Sequence, residues 1–159
     1  MTAQSGEILF YQGEELSMQT CPLQVYFNIM DIHPGFTREM SCNWRGYNGT
    51  WEILDNHLYL VKLIGKLNND TFASIESFFP NYPNRVFANW FSGFITIAQG
   101  ELLEYVHTGF CSTYERSLIL DVVRGKVVST QQIENRDNFK EKKRFKRENQ
   151  IVRDGGMQA

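Results

Sequence analysis

The sequence predicts a mainly β, β-rich α+β fold: an antiparallel meander of hairpins in a strongly twisted sheet or small barrel, with one or two short helices. Three observations carry this. Four segments share one grammar, an apolar run, two turn-forming residues and a second apolar run: "EILFY-QG-EELSM", "TWEIL-DN-HLYLVKL", "FITIA-QG-ELLEYV" and "LILDVV-RG-KVVST". Glycine reaches positive φ without a Cβ penalty, and Asp and Asn tolerate that region, so each pair favours a two-residue hairpin turn. The flanking runs carry apolar atoms on both faces, which a curved or two-layered sheet would cover.

Taken in order, residues 7–18 form the first hairpin. Residues 21–40 are ambiguous: "CPLQVYFNIM" reads as a strand or one helical turn, and "DIHPGF" as a loop. Residues 42–63, "CNWRGYNGTWEILDNHLYLVKL", form the second hairpin, with Gly46 and Gly49 marking a bend or bulge at its entry. In its second strand Leu58, Leu60 and Lys62 alternate with Tyr59, Val61 and Leu63. Asp70 or Thr71 caps a short helix reaching about Phe79, with Phe72, Ile75, Phe78 and Phe79 on one side, and Pro80 and Pro83 stop it. "VFANWFSGFITI", residues 86–97, is an aromatic knot before the third hairpin. It reads as core or as a pocket wall. Gly100 and Gly125 are expected at positive φ in two-residue turns.

Residues 1–135 form one β-rich domain, and 136–159 a basic, helix-prone or partly disordered tail. The formal net charge of −2 hides this division. Residues 1–135 hold 8 Lys and Arg against 14 Asp and Glu, a net of −6, while 136–159 hold 8 against 4, a net of +4. With 42% apolar and 14% aromatic residues the chain can bury a substantial core. It has no run of eighteen apolar residues, so no membrane-spanning helix is expected, and its N-terminus lacks signal-peptide features, which makes the cytoplasm the expected location. Three widely spaced cysteines do not make a disulfide framework. Neither a metal site nor a cofactor is expected, since HExxH, CxxC pairs and a Gly-rich phosphate cradle are all missing.

Three constellations invite a functional reading. In the first, Arg45 and Tyr47 stand exposed at the bend with Trp44 beside them, while Trp51 is buried beneath. Arg and Trp are enriched at interface hot spots, so these residues, with Tyr114 and Glu115, are the candidate partner-binding set. The structural alternative is that the aromatics fill space left by the glycines. In the second, "EYVHTGFCSTYE" puts His107, Cys111 and Glu115 near one connection, a base, a thiol and an orienting acid, although no nucleophile-elbow or cysteine-protease context surrounds them. In the third, Lys140, Lys142, Lys143, Arg144, Lys146 and Arg147 could contact phosphates, interleaved with acids.

The combination of "RGYNGTWEI…NHLYLV", "VFANWFSG" and "YVHTGFCSTYE" resembles a recurring core in small, uncharacterised bacterial β-rich proteins, over roughly residues 7–135. The resemblance implies no activity, cofactor or catalytic residue. By analogy such proteins are often immunity or antitoxin partners or accessory parts of defence loci. The expected function is a protein-binding module that occludes a partner, such as a basic toxin, by steric and electrostatic means. A nucleic-acid-associated accessory protein using the tail and an enzyme centred on His107 and Cys111 are the alternatives.

Overall fold

The computed structural model describes residues 5–40, 42–106, 110 and 113–156, without the side chains of residues 138, 139, 142 and 150–156. Its strands are β1 (Glu7–Tyr11), β2 (Glu14–Met18), β3 (Tyr47–Leu54), β4 (His57–Lys66), β5 (Phe72–Ala73), β6 (Val86–Phe87), β7 (Gly93–Glu104), β8 (Thr113–Val123) and β9 (Lys126–Glu134). The helices are α1 (Pro22–Ile29), α2 (Ile75–Phe78) and α3 (Asn135–Gly156).

Three of the expected turns form as the dipeptides predict. Gln12-Gly13, Asp55-Asn56 and Arg124-Gly125 all have positive φ at both positions, the conformation whose twist matches antiparallel strands. They join β1 to β2, β3 to β4 and β8 to β9. The third expected hairpin is corrected. Gly100 has φ +80, but it lies inside the continuous strand β7, where the register with β8 shifts between Gln99 and Leu102. Here the same dipeptide makes a bulge, because β8 continues to pair on both sides of it.

The strands pair in the circuit β1-β2-β7-β8-β9-β4-β3 and back to β1, so the sheet closes on itself. One pairing in this mainly antiparallel sheet is parallel: β1 lies beside β3, with Leu9 opposite Trp51. Two seams are thin. β2 meets β7 at Met18 and Ile97, and β4 meets β9 at His57 and Lys126. The second seam is reinforced where the Leu58 N–H donates to the Gly125 carbonyl and the Val127 N–H to that of Asn56, both at 2.8 Å.

Inward-facing Leu9, Trp51, Leu58, Leu60, Ile95, Ile97, Leu120 and Val122 are fully buried and form the centre of the core. The simple alternation expected in β4 fails at one point. The register with β3 shifts between Thr50 and Trp51, so that Thr50 faces Lys62 and Trp51 faces Leu60. Val61 is the extra residue, and Leu63 therefore joins Leu58 and Leu60 inside while Lys62 stays exposed.

Helix α1 resolves the ambiguity at residues 22–29. Pro22 opens it, where a missing N–H costs nothing, and Leu23 and Phe27 pack into the core four residues apart. The helix expected from Asp70 is shorter than its sequence suggests. Phe72 and Ala73 instead pair with β4 as β5, leaving Phe72 exposed, and α2 starts after Ser74, which forms a capping box with Ser77.

Two substitutions test this architecture through urea midpoints. Gly125→Val should destabilise by about 2 kcal/mol or more, since φ is +81 and a Cβ would lie 2.6 Å from the Ala88 carbonyl oxygen. Trp51→Ala should cost about 3–5 kcal/mol, the range for emptying a large core site.

Candidate functional site

The most unusual chemistry in the described residues is a charged cluster at the entry to β3. Glu7 shares the inward face of β1 with Leu9, and its side chain is fully buried. Arg45 lies beside it, Nε to Oε1 3.9 Å, with its own side chain only 8% exposed. The Trp51 indole N–H donates to Glu7 Oε2 at 3.2 Å, and the Gly49 backbone and the Cys21 thiol lie near enough to favour the charged carboxylate. Gly49 is required here because a Cβ would overlap Glu7 Oε2. The Arg45 guanidinium also donates to the Ser5 carbonyl oxygen at 3.1 Å and to Asn48 Oδ1 at 3.5 Å, and it sits 5.8 Å from the Tyr47 ring centroid.

Burial dominates the electrostatics. It pushes the Glu7 carboxyl up to about 7 from an ordinary 4.5, against the opposing pull of Arg45 and the hydrogen bonds from Trp51 and Gly49. Burial, with Glu7 adding to it, pushes the Cys21 thiol up to about 12, so Cys21 is a poor nucleophile. Tyr47 is raised as well, again first by burial. Glu7 Oε1, Arg45 Nε, Asn43 Oδ1 and Tyr47 Oη are buried without a hydrogen-bond partner. Each such group costs about 1–3 kcal/mol until something satisfies it.

A cleft of about 400 Å³ opens over this cluster. Gln24 and Asn28 of α1, His33 and Arg38 of the following loop, and Asn68 beyond β4 line it together with Arg45 and Tyr47. A second, more apolar hollow of about 280 Å³ lies among Tyr26, Phe79, Tyr82, Val86 and Trp90. There Trp90 stacks on Phe79 at 5.7 Å and its indole N–H donates to the Pro22 carbonyl at 2.9 Å. The "VFANWFSG" knot is thus part core and part pocket wall.

Of the residues singled out in the sequence, Arg45 and Tyr47 require correction. They are not exposed at the bend. Tyr47 is 1% exposed and begins the inward alternation of β3 that continues through Gly49 to Trp51. Arg45 is drawn inward by Glu7. Trp44 is exposed. Tyr114 is half-buried on β8. Glu115 is 15% exposed and bound by Arg136 at 2.6 Å, with Arg116 3.4 Å away, so its carboxylate is already engaged. His107 and Cys111 lie outside the described residues. Lys140, Lys143, Arg144, Lys146 and Arg147 are exposed on α3, while the Lys142 side chain lies outside the description. The boundary at residue 135 is not clean: Arg136 belongs to the Glu115 pair, and the Asn135 amide donates to Ser117 Oγ at 2.9 Å. Among the described residues no group of three His, Cys, Asp or Glu is placed to hold a metal, and no helix is long and apolar enough to cross a membrane.

Glu7 was the residue that sequence reasoning missed. The available signal was an acid at an inward position of the alternating run "EILFY", in phase with Leu9. On the outer face of the same strand Phe10 is 41% exposed, and its register neighbours are Glu15 on β2 and Glu52 on β3. Tyr59 follows Glu52 in the row, with the Arg85 guanidinium 4.5 Å from its ring centroid.

No protein-family model, curated protein or solved structure matches the chain.

The Glu7 carboxyl generates a pH signature. The folded chain holds this proton more tightly than the unfolded chain, so stability from Glu7 is present below pH 4.5 and is lost as pH rises to about 7. The loss should be on the order of 3 kcal/mol. Urea midpoints of the wild type should fall as pH rises from about 5 to about 8, and Glu7→Gln should flatten that fall. A Glu7→Gln profile parallel to the wild type would assign the slope to other groups.

Proposed function

We propose that the chain is a protein-binding module of the immunity or antitoxin kind, which occludes a basic partner with the outer face of β2, β1 and β3. The observation that carries this reading is Phe10, an exposed aromatic ring with a carboxylate on either side, Glu15 and Glu52. Ile8, 39% exposed, extends the apolar centre along β1 between Ser17 and Thr50. An aromatic anchor with an acidic surround suits a cationic surface: the ring supplies buried area and the carboxylates steer encounter. The net charge of −6 over residues 1–135 adds the same long-range attraction. A nuclease-type toxin must be basic to hold phosphate, so such a face would compete for the same surface. On this reading the protein acts in the cytoplasm.

Co-expression with the product of the adjacent gene should give a stoichiometric complex. Phe10→Ala should weaken it by about tenfold or more without moving the urea midpoint. The pair Glu15→Gln and Glu52→Gln should slow association and reduce its salt dependence. An adjacent-gene product that does not bind, or a Phe10→Ala variant that binds like the wild type, would reject this face.

A second reading rests on α3. At 3.6 residues per turn, Arg136, Lys140, Lys143, Arg144 and Arg147 fall within a roughly 100° arc of the helix, with Arg136 spent on Glu115 at 2.6 Å and Arg144 partly spent on Glu148 at 3.0 Å. A basic stripe of this kind would track a phosphate backbone. On this reading, heparin or duplex DNA retention should fall steeply with salt, and replacing Lys140 and Arg147 with Gln should lower the salt slope by about 2. Retention unchanged by both substitutions would remove α3 from consideration.

A further inference from the structure

Polar side chains predominate in the cleft over Arg45, with Ile32, Pro34 and Phe36 forming its apolar part. Three carboxamides, Gln24, Asn28 and Asn68, and two guanidiniums, Arg38 and Arg45, converge on it, and none of its lining residues is an acid. Its volume of about 400 Å³ lies within the roughly 300–1,000 Å³ of small-molecule sites. Gln24 donates to Asn28 Oδ1 at 3.2 Å, which fixes the Asn28 amide and leaves its own N–H donors available. Arg38 is exposed and makes no ion pair among the described residues. His33 is paired with Asp31 at 3.1 Å on the outer rim.

Behind this wall two polar atoms are buried without a hydrogen-bond partner, the hydroxyl of Tyr47 and, on the side that faces Glu7, the Nε of Arg45. The Tyr47 side chain is almost wholly buried, and that of Arg45 is more than nine-tenths buried. Two of the five guanidinium N–H donors of Arg45 are used, by Ser5 and Asn48. We propose that this cleft binds a small polar molecule through an oxyanion group, a carboxylate or phosphate, held by Arg38 and Arg45, with the carboxamides of Asn28 and Asn68 taking its polar remainder. Arginine suits this role because its planar fork matches both oxyanions in a bidentate way. Glu7 lies behind Arg45 at 3.9 Å, and because burial keeps its proton on up to about neutral pH, it offsets the Arg45 charge only in part. The site is separate from the outer face of β1 and does not depend on the partner-binding reading.

The test is calorimetric titration of the full chain with inorganic phosphate and with malonate at constant ionic strength, with amide chemical shifts followed in parallel. Arg38→Gln is the informative variant, because Arg38 is exposed and its loss leaves the Glu7 pair in place; its urea midpoint should match the wild type. Arg124→Gln, in the β8–β9 turn at the opposite end of the β3–β4 hairpin, controls for net charge. Saturable binding, weakened about tenfold or more by Arg38→Gln and unaffected by Arg124→Gln, with shifts at Asn28 and Asn68, is the expected result. The tighter of the two probes identifies the oxyanion. No saturable binding of either probe up to about 10 mM, or equal weakening by both variants, would overturn the proposal.

Discussion

The burial of Glu7 is the constraint on which the rest of this structure depends. A carboxyl inside a β-sheet domain is costly unless partners gather around it, and here the partners come from three separate segments. Trp51 and Gly49 approach from β3, Cys21 from the start of α1, and Arg45 from the loop before β3. The parallel pairing of β1 with β3 brings them together, because it sets Leu9 against Trp51 and so places Glu7 beside the β3 entry. The closed circuit of strands is in this sense organised around a polar contact, with the apolar core filling the space that the contact leaves.

The same constraint explains the opening stretch of the second hairpin. Gly49 makes room for the carboxyl group, Trp51 supplies a donor to one oxygen, and the Arg45 guanidinium lies 3.9 Å from the other. Residues that look like an exposed binding cluster in sequence are therefore largely scaffold on their inner side. What remains accessible is the cleft above Arg45 on one side and the Phe10 face of β1 on the other. The strands between the two surfaces position Arg45 and Phe10, while Arg38 and Asn68 reach the cleft from loops.

The two thin seams, β2 with β7 and β4 with β9, show where closure is least supported by ladder hydrogen bonds. Each is backed by core side chains: Met18 and Ile97 meet at the first, and Leu58 sits under the second with Gly125 bonded to its N–H. Side-chain packing thus does at the seams what backbone pairing does elsewhere. Glu115 and Arg136 carry the order of the sheet into α3, so that the basic helix begins from a fixed point at the end of β9.

The sequence by itself determined the β-rich class and three of its turns, because the turn preference of Gln12-Gly13, Asp55-Asn56 and Arg124-Gly125 is a local backbone property. It also placed Trp51 inside, through alternation. Only the tertiary structure decided what non-local neighbours control. Gln99-Gly100 has the same local preference as Gln12-Gly13, yet it forms a bulge because β8 pairs on both sides of it. The Val61 bulge, which returns Leu63 to the core, depends on the β3 register. Phe72 and Ala73 become strand because β4 offers them an edge. The inward turn of Arg45 and Tyr47 required a buried acid whose contact with Trp51 spans 44 residues. Periodicity reports which side of an element is apolar, but it carries no information about a buried acid on the neighbouring strand, and that acid decided which residues are scaffold and which are surface.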